Sequence, residues 1–77
     1  MSYDSDSVGL NIRVARTKAC MTQQDLSDAT GIDVVTIGRY EKGLTTPRFD
    51  RAYALAVALG CTLDDLCPTP AITGVPR

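Results

Sequence analysis

The chain contains no histidine and no tryptophan, and only one phenylalanine among its 77 residues. The side chain best suited to proton transfer near neutral pH is therefore missing. There is no glycine-rich phosphate loop, and Cys20, Cys61 and Cys67 have no visible base and form no C-x-x-C pair. No general acid–base or nucleophilic set can be assembled, and no enzyme, metal or cofactor is expected. The cysteines read as small apolar side chains in a reducing compartment. No apolar run approaches the roughly 20 residues that span a bilayer, and the stretch from Met1 to Ser7 lacks the basic-then-apolar order of a signal peptide. A cytoplasmic protein with no membrane partner is expected. An excess of positive charge is also lacking, the formal net charge being −1.

Seventy-seven residues allow one domain with a small core, which suits a compact helical bundle better than an enzyme with a deep cavity. No second, small-molecule effector domain is expected, so regulation would come from concentration, dimerisation or a partner.

The most informative segment is residues 22–43, TQQDLSDATGIDVVTIGRYEKG, which predicts two short helices hinged at Gly31. Thr22 and Asp25 have capping-box spacing, Gly31 permits a left-handed stop, and Asp33 can cap the second helix. At about 100° per residue, Ile37, Tyr40 and Glu41 share one side of that second helix. Val34, Val35, Gly38, Arg39 and Lys42 are assigned to the outward side. One face is for packing and one is for a partner.

The whole chain reads as an all-α bundle of five helices. The first is expected over Val8 to Ala19, after Ser7 as a possible cap, with Val8, Ile12, Ala15 and Ala19 turned inward. The second spans Gln23 to Thr30 and the third Val34 to Lys42, ended by Gly43. The fourth starts between Pro47 and Phe49 and runs to Leu59, with Gly60 as its stop. Thr62 and Asp65 offer another capping box for a last helix from Leu63 to Cys67. Residues 1–7 and 68–77 are expected to be flexible, leaving residues 8–67 as the domain. Ser27 and Thr30, beside the hinge, could bond back to the preceding turn through their hydroxyls.

From Val8 to Cys67 the sequence resembles the DNA-binding domain of the lambda-repressor-like family, the helix-turn-helix domain of phage Cro and repressor proteins. The matching residues are Ile12, Arg13 and Arg16, then Thr22, Gln23, Leu26, Gly31, Ile32, Ile37, Glu41 and Gly43. They continue through Pro47, Leu55, Ala56, Leu59, Gly60, Leu63, Asp64 and Leu66. The resemblance implies a five-helix fold, double-stranded DNA as partner and the third helix in the major groove. It also implies that Gln23 holds a phosphate, that Arg16 and Glu41 form an ion pair, and that Cys20 stands at a glycine position. Single-domain members usually bind as homodimers on two-fold sites, with an interface from the last helices. Val57, Leu63, Leu66 and Cys67 are the candidates here.

Charge is the objection to DNA, since affinity rests largely on neutralising phosphates. Residues 8–67 carry seven basic side chains (Arg13, Arg16, Lys18, Arg39, Lys42, Arg48, Arg51) and seven acidic ones (Asp25, Asp28, Asp33, Glu41, Asp50, Asp64, Asp65). Distribution then matters more than sum, and Arg39, Lys42 and Arg48 lie on or beside the outward face. Arg39 is the candidate for a bidentate guanine contact, worth roughly 1–3 kcal/mol of discrimination, or else a phosphate ligand. Val34 and Val35 would pack on thymine methyls or on a protein, and Gly38 would allow close approach to the bases. Thr36, Lys42, Thr45, Thr46 and Arg48 are further phosphate candidates. Thr22, Asp33 and Thr62 are the helix caps. The expected function is a sequence-specific transcription regulator, a repressor or, through Asp25 and Asp28 on RNA polymerase, an activator. The alternative is a protein-interaction module, antitoxin-like or an anti-repressor partner, using the same helix face.

Overall fold

The computed structural model describes residues 5–66. Its elements are α1 (Ser5–Lys18), α2 (Gln23–Thr30), α3 (Val34–Glu41), α4 (Phe49–Leu59) and α5 (Leu63–Leu66). No described helix is long and apolar enough to cross a membrane.

Local chemistry sets most boundaries. Thr22 accepts from the Asp25 amide at 3.0 Å while the Asp25 carboxylate accepts from the Thr22 amide at 2.9 Å, completing the capping box of α2. Gly31 stops α2 at φ 77°, its amide donating to the Ser27 carbonyl, and Asp33 accepts from the Val35 amide at 3.1 Å to start α3. The connection is tight, as a helix-turn-helix requires. Gly43 and Gly60 end α3 and α4 in the left-handed region. In each case the following amide reaches back five residues, Leu44 to Arg39 and Cys61 to Ala56, which satisfies carbonyls that the helix leaves open. Thr62 and Asp65 form the expected reciprocal cap of α5 at 3.0 and 3.1 Å.

Two expectations for α1 are corrected. The helix begins at Ser5, so Ser7 lies inside it rather than capping it. The helix also ends at Lys18, and Ala19 is exposed instead of closing the inward stripe. Cys20 is the cause: it takes φ 58° and turns the chain, with the Met21 amide donating to the Arg16 carbonyl at 3.0 Å. The expected tail, residues 68–77, lies outside the described residues, as do residues 1–4 and Cys67.

The core gathers Val8 and Ile12 from α1, Leu26 from α2, Ile37 and Tyr40 from α3, and Ala52, Leu55, Ala56 and Leu59 from α4, with Ile32 and Leu66. Burial of this apolar surface is the main stabilising contribution. α1 packs across α3, and α2 packs on both α3 and α4. Gly9 makes the first crossing possible, since a Cβ there would run into the Tyr40 carbonyl and lie 2.8 Å from that of Glu41. Beside the hinge, Thr30 bonds back to the Leu26 carbonyl at 2.8 Å as expected, whereas Ser27 bonds forward across the turn to the Ile32 carbonyl at 2.6 Å. Among the described residues, no buried side-chain polar atom lacks a partner.

Candidate nucleic-acid interface

Helix α3 divides as its sequence periodicity demands. Ile37 is fully buried and Tyr40 nearly so, which anchors the helix by its inner side. Val35 is 64 % exposed, and Arg39 and Lys42 are exposed beside it. Gln23, Val34, Val35, Gly38, Arg39 and Lys42 line one shallow concavity of about 330 Å³, between the start of α2 and the outer face of α3. Both valines, the arginine and the glycine assigned to base contact thus come together, with two phosphate candidates. Gly38 is not required by the fold: a Cβ there would meet only the Gln23 amide, at ordinary contact distances of 3.8 and 3.9 Å. Thr36 and Thr46 are half-buried, Thr45 and Arg48 are exposed, and none of them lines this concavity.

The inner edge of α3 is fixed by a charge network. Arg16 Nε donates to Glu41 Oε2 at 2.7 Å and Arg16 Nη2 donates to Glu41 Oε1 at 3.1 Å, a bidentate pairing that joins α1 to α3. Arg16 Nη1 also donates to the Met21 carbonyl at 2.9 Å. The hydrogen bond to Glu41 raises the Arg16 pKa further above its already high value. The Glu41 side chain is only 6 % exposed, and a carboxylate so enclosed needs these donors. Gln23 supplies a third, its Nε2 donating to Glu41 Oε1 at 3.1 Å. The glutamine side chain thus ties α2 to α3, a link that spacing along the chain did not reveal because it closes only in three dimensions.

The interface candidates divide. Val57 is exposed and Leu63 half-buried, but Leu66 is a core residue at 1 % exposure, so it has no surface to offer a second copy. Cys67 lies outside the described residues. Phe49 and Tyr53, at 73 % and 58 % exposure, continue the Val57 stripe along α4. Their four-residue spacing is visible in the sequence. Cys20 and Cys61 are free thiols, and the described residues contain no group of three or more metal-ligating side chains.

Residues 12–66 match the HTH_3 helix-turn-helix family model. The chain is similar to the P22 c2 repressor, solved in complex with a synthetic operator: 33 % identity over 79 % of this chain and 92 % of that one, with a TM-score of 0.75. The P22 c2 DNA-binding domain in solution gives 32 % identity, 82 % and 90 % coverage, and a TM-score of 0.73. The restriction-modification controller protein C.AhdI from Aeromonas hydrophila gives 27 % identity, 82 % and 96 % coverage, and a TM-score of 0.78. No curated protein matches the sequence. By its capped α2–α3 unit and these likenesses, the chain belongs to the lambda-repressor-like helix-turn-helix family of non-enzymatic, DNA-binding transcription regulators.

Proposed function

We propose that this regulator binds double-stranded DNA sequence-specifically as a homodimer, with α3 of each copy in the major groove of a two-fold operator, and acts as a repressor by occluding a promoter. The observation that carries this reading is the single exposed patch on α3 that places Val35, Arg39 and Lys42 together while Ile37 and Tyr40 hold the helix from behind. Arg39 contacts guanine O6 and N7, Val34 and Val35 meet thymine methyls, and the unneeded Cβ at Gly38 leaves room for a base edge. Gln23, Thr36, Lys42, Thr45, Thr46 and Arg48 are the proposed phosphate ligands. Cations flanking Val35 favour a polyanion over an apolar protein partner. Asp25 and Asp28, both exposed on α2, are the residues through which the same complex would touch RNA polymerase if it activates.

Selection of bound duplexes from a random library, for the parent chain and Arg39→Ala, tests the proposal. A two-fold symmetric motif is expected, with preference relaxed at one base pair per half-site in the variant and a loss of roughly 1–3 kcal/mol there. Recovery of no motif would favour the protein-partner reading.

A further inference from the structure

The outer face of α3 carries an apolar element whose chemistry limits what it can tell apart. Val35 is 64 % exposed, Val34 is half-buried beside it, and both line the concavity that holds Arg39. An isopropyl group has no hydrogen-bond donor or acceptor, so it recognises a base only through an apolar group that the base carries into the major groove. Among the four ordinary bases that group is the C5 methyl of thymine. The polar side chains around the valines are engaged elsewhere. Asp33 accepts from the Val35 amide at 3.1 Å and does not line the concavity, and neither does Thr36. Gln23 Nε2 donates to Glu41 Oε1 at 3.1 Å. Arg39 lies one turn beyond Val35, about 6 Å along the helix axis, and is the group proposed for guanine.

A face built in this way senses a methyl group and not the base that bears it. The groups that separate thymine from cytosine in the major groove are the O4 acceptor of one and the N4 donor of the other, and a valine reads neither. 5-Methylcytosine carries its methyl on the same ring carbon, at the same place in the groove. We propose that α3 accepts 5-methylcytosine in place of thymine at the position covered by Val35, so that cytosine methylation strengthens a site that unmodified cytosine weakens. Occupancy of such a site then depends on DNA methylation. The inference rests on the DNA-binding reading and deepens it by naming a modified base as a ligand of the same face.

The test is equilibrium binding of the full chain to a selected duplex at fixed salt. Replacing each thymine in turn by uracil removes the methyl and nothing else, which locates the base under Val35. Uracil there is expected to weaken the parent chain by about fourfold per half-site, the worth of one buried methyl, and to cost Val35→Ala nothing. Cytosine and 5-methylcytosine, each paired with guanine, are then compared at that position. 5-Methylcytosine should bind within about twofold of thymine, and cytosine about fourfold more weakly per half-site, or about fifteenfold over a two-fold site. Val35→Ala should bind all three alike. Its thermal melt should match that of the parent, because the side chain is exposed, and this separates a lost contact from a lost fold. Equal binding of cytosine and 5-methylcytosine by the parent, with uracil still weak, would overturn the proposal, since the pair would then be read through its polar edge as well. A methyl preference that survives in Val35→Ala, or no effect of uracil at any position, would also overturn it while leaving DNA binding intact. If the parent chain binds no duplex, the DNA-binding reading fails first.

Discussion

Cys20 occupies a backbone conformation that costs a side-chain-bearing residue roughly 1–2 kcal/mol, at φ 58°. Glycine would remove most of that cost, although it gains freedom in the unfolded chain. Cys20→Gly is therefore expected to stabilise the domain by about 1 kcal/mol, raising Tm by about 4–8 °C in a domain of this size. A thermal melt that shows no gain would mean that the thiol makes a compensating contribution. Glu41 behaves in the opposite way. Replacing it by alanine strips Arg16 and Gln23 of their shared acceptor, at a cost of about 1–3 kcal/mol by urea unfolding, less than for a fully buried pair because Arg16 is still partly solvated. The caps at Thr22, Asp33 and Thr62 and the inward pair Ile37 and Tyr40 were legible residue by residue, whereas the Arg16–Glu41 pair was implied only by the family resemblance. The Gln23–Glu41 bond was not, since eighteen positions separate its ends and neither has a fixed partner until the helices dock.

At the scale of elements, the crossing of α1 over α3 sets where the recognition surface points. Gly9 meets the carbonyls of Tyr40 and Glu41 with no space for a methyl group. Gly9→Ala is expected to push α1 away and destabilise by about 1–3 kcal/mol, despite the better helix propensity of alanine. Operator affinity should fall with stability if the tilt of α3 changes, which binding at a temperature where the variant is fully folded would reveal. Helix α5 depends on its cap. The Thr62 amide, and secondly its side chain, hold the Asp65 carboxyl below its ordinary pKa. A lowered folded-state value means that this contribution is complete above the unfolded carboxylate range, near 4, and is lost as pH falls through the folded-state value. Thr62→Ala is expected to move the Asp65 titration upward by NMR, and its stability deficit to shrink on acidification. Helix order and most boundaries followed from caps and period. The start of α1 did not: Ser7 is an adequate cap in sequence, but the helix begins at Ser5, and Asp6 in its first turn lies so close to Gly43 that a Cβ there would run into its carboxylate oxygen.

For the whole molecule, the stripe of Phe49, Tyr53 and Val57 bears on the proposed dimer. At these exposures the three side chains leave on the order of 300 Å² of apolar surface per copy. Two copies would bury about 600 Å² through them, well short of the roughly 1,200–2,000 Å² of a standard stable interface. Assembly through α4 is then expected to be weak in free solution and completed on DNA. Tyr53→Glu should leave half-site binding unchanged while reducing cooperative binding to a two-fold site. A gel-shift series in which both species bind that site equally well would remove α4 from the interface.

The sequence by itself determined the order of the helical elements, the caps at Thr22, Asp33 and Thr62 and the division of α3 into inner and outer faces, because each depends on contacts within one or two turns of chain. Tertiary structure decided what lies beside those faces. Leu66 satisfies the pattern of an interface residue as well as that of a core residue, and only packing against α1 and α4 shows it to be buried. Arg13 is one exposed arginine among several along the chain until α1 docks across α3 and brings it to a cleft lined also by Gln23 and Lys42. Charge and apolarity are properties of residues, but the field at a surface and the area free for a partner arise only when distant segments are brought together.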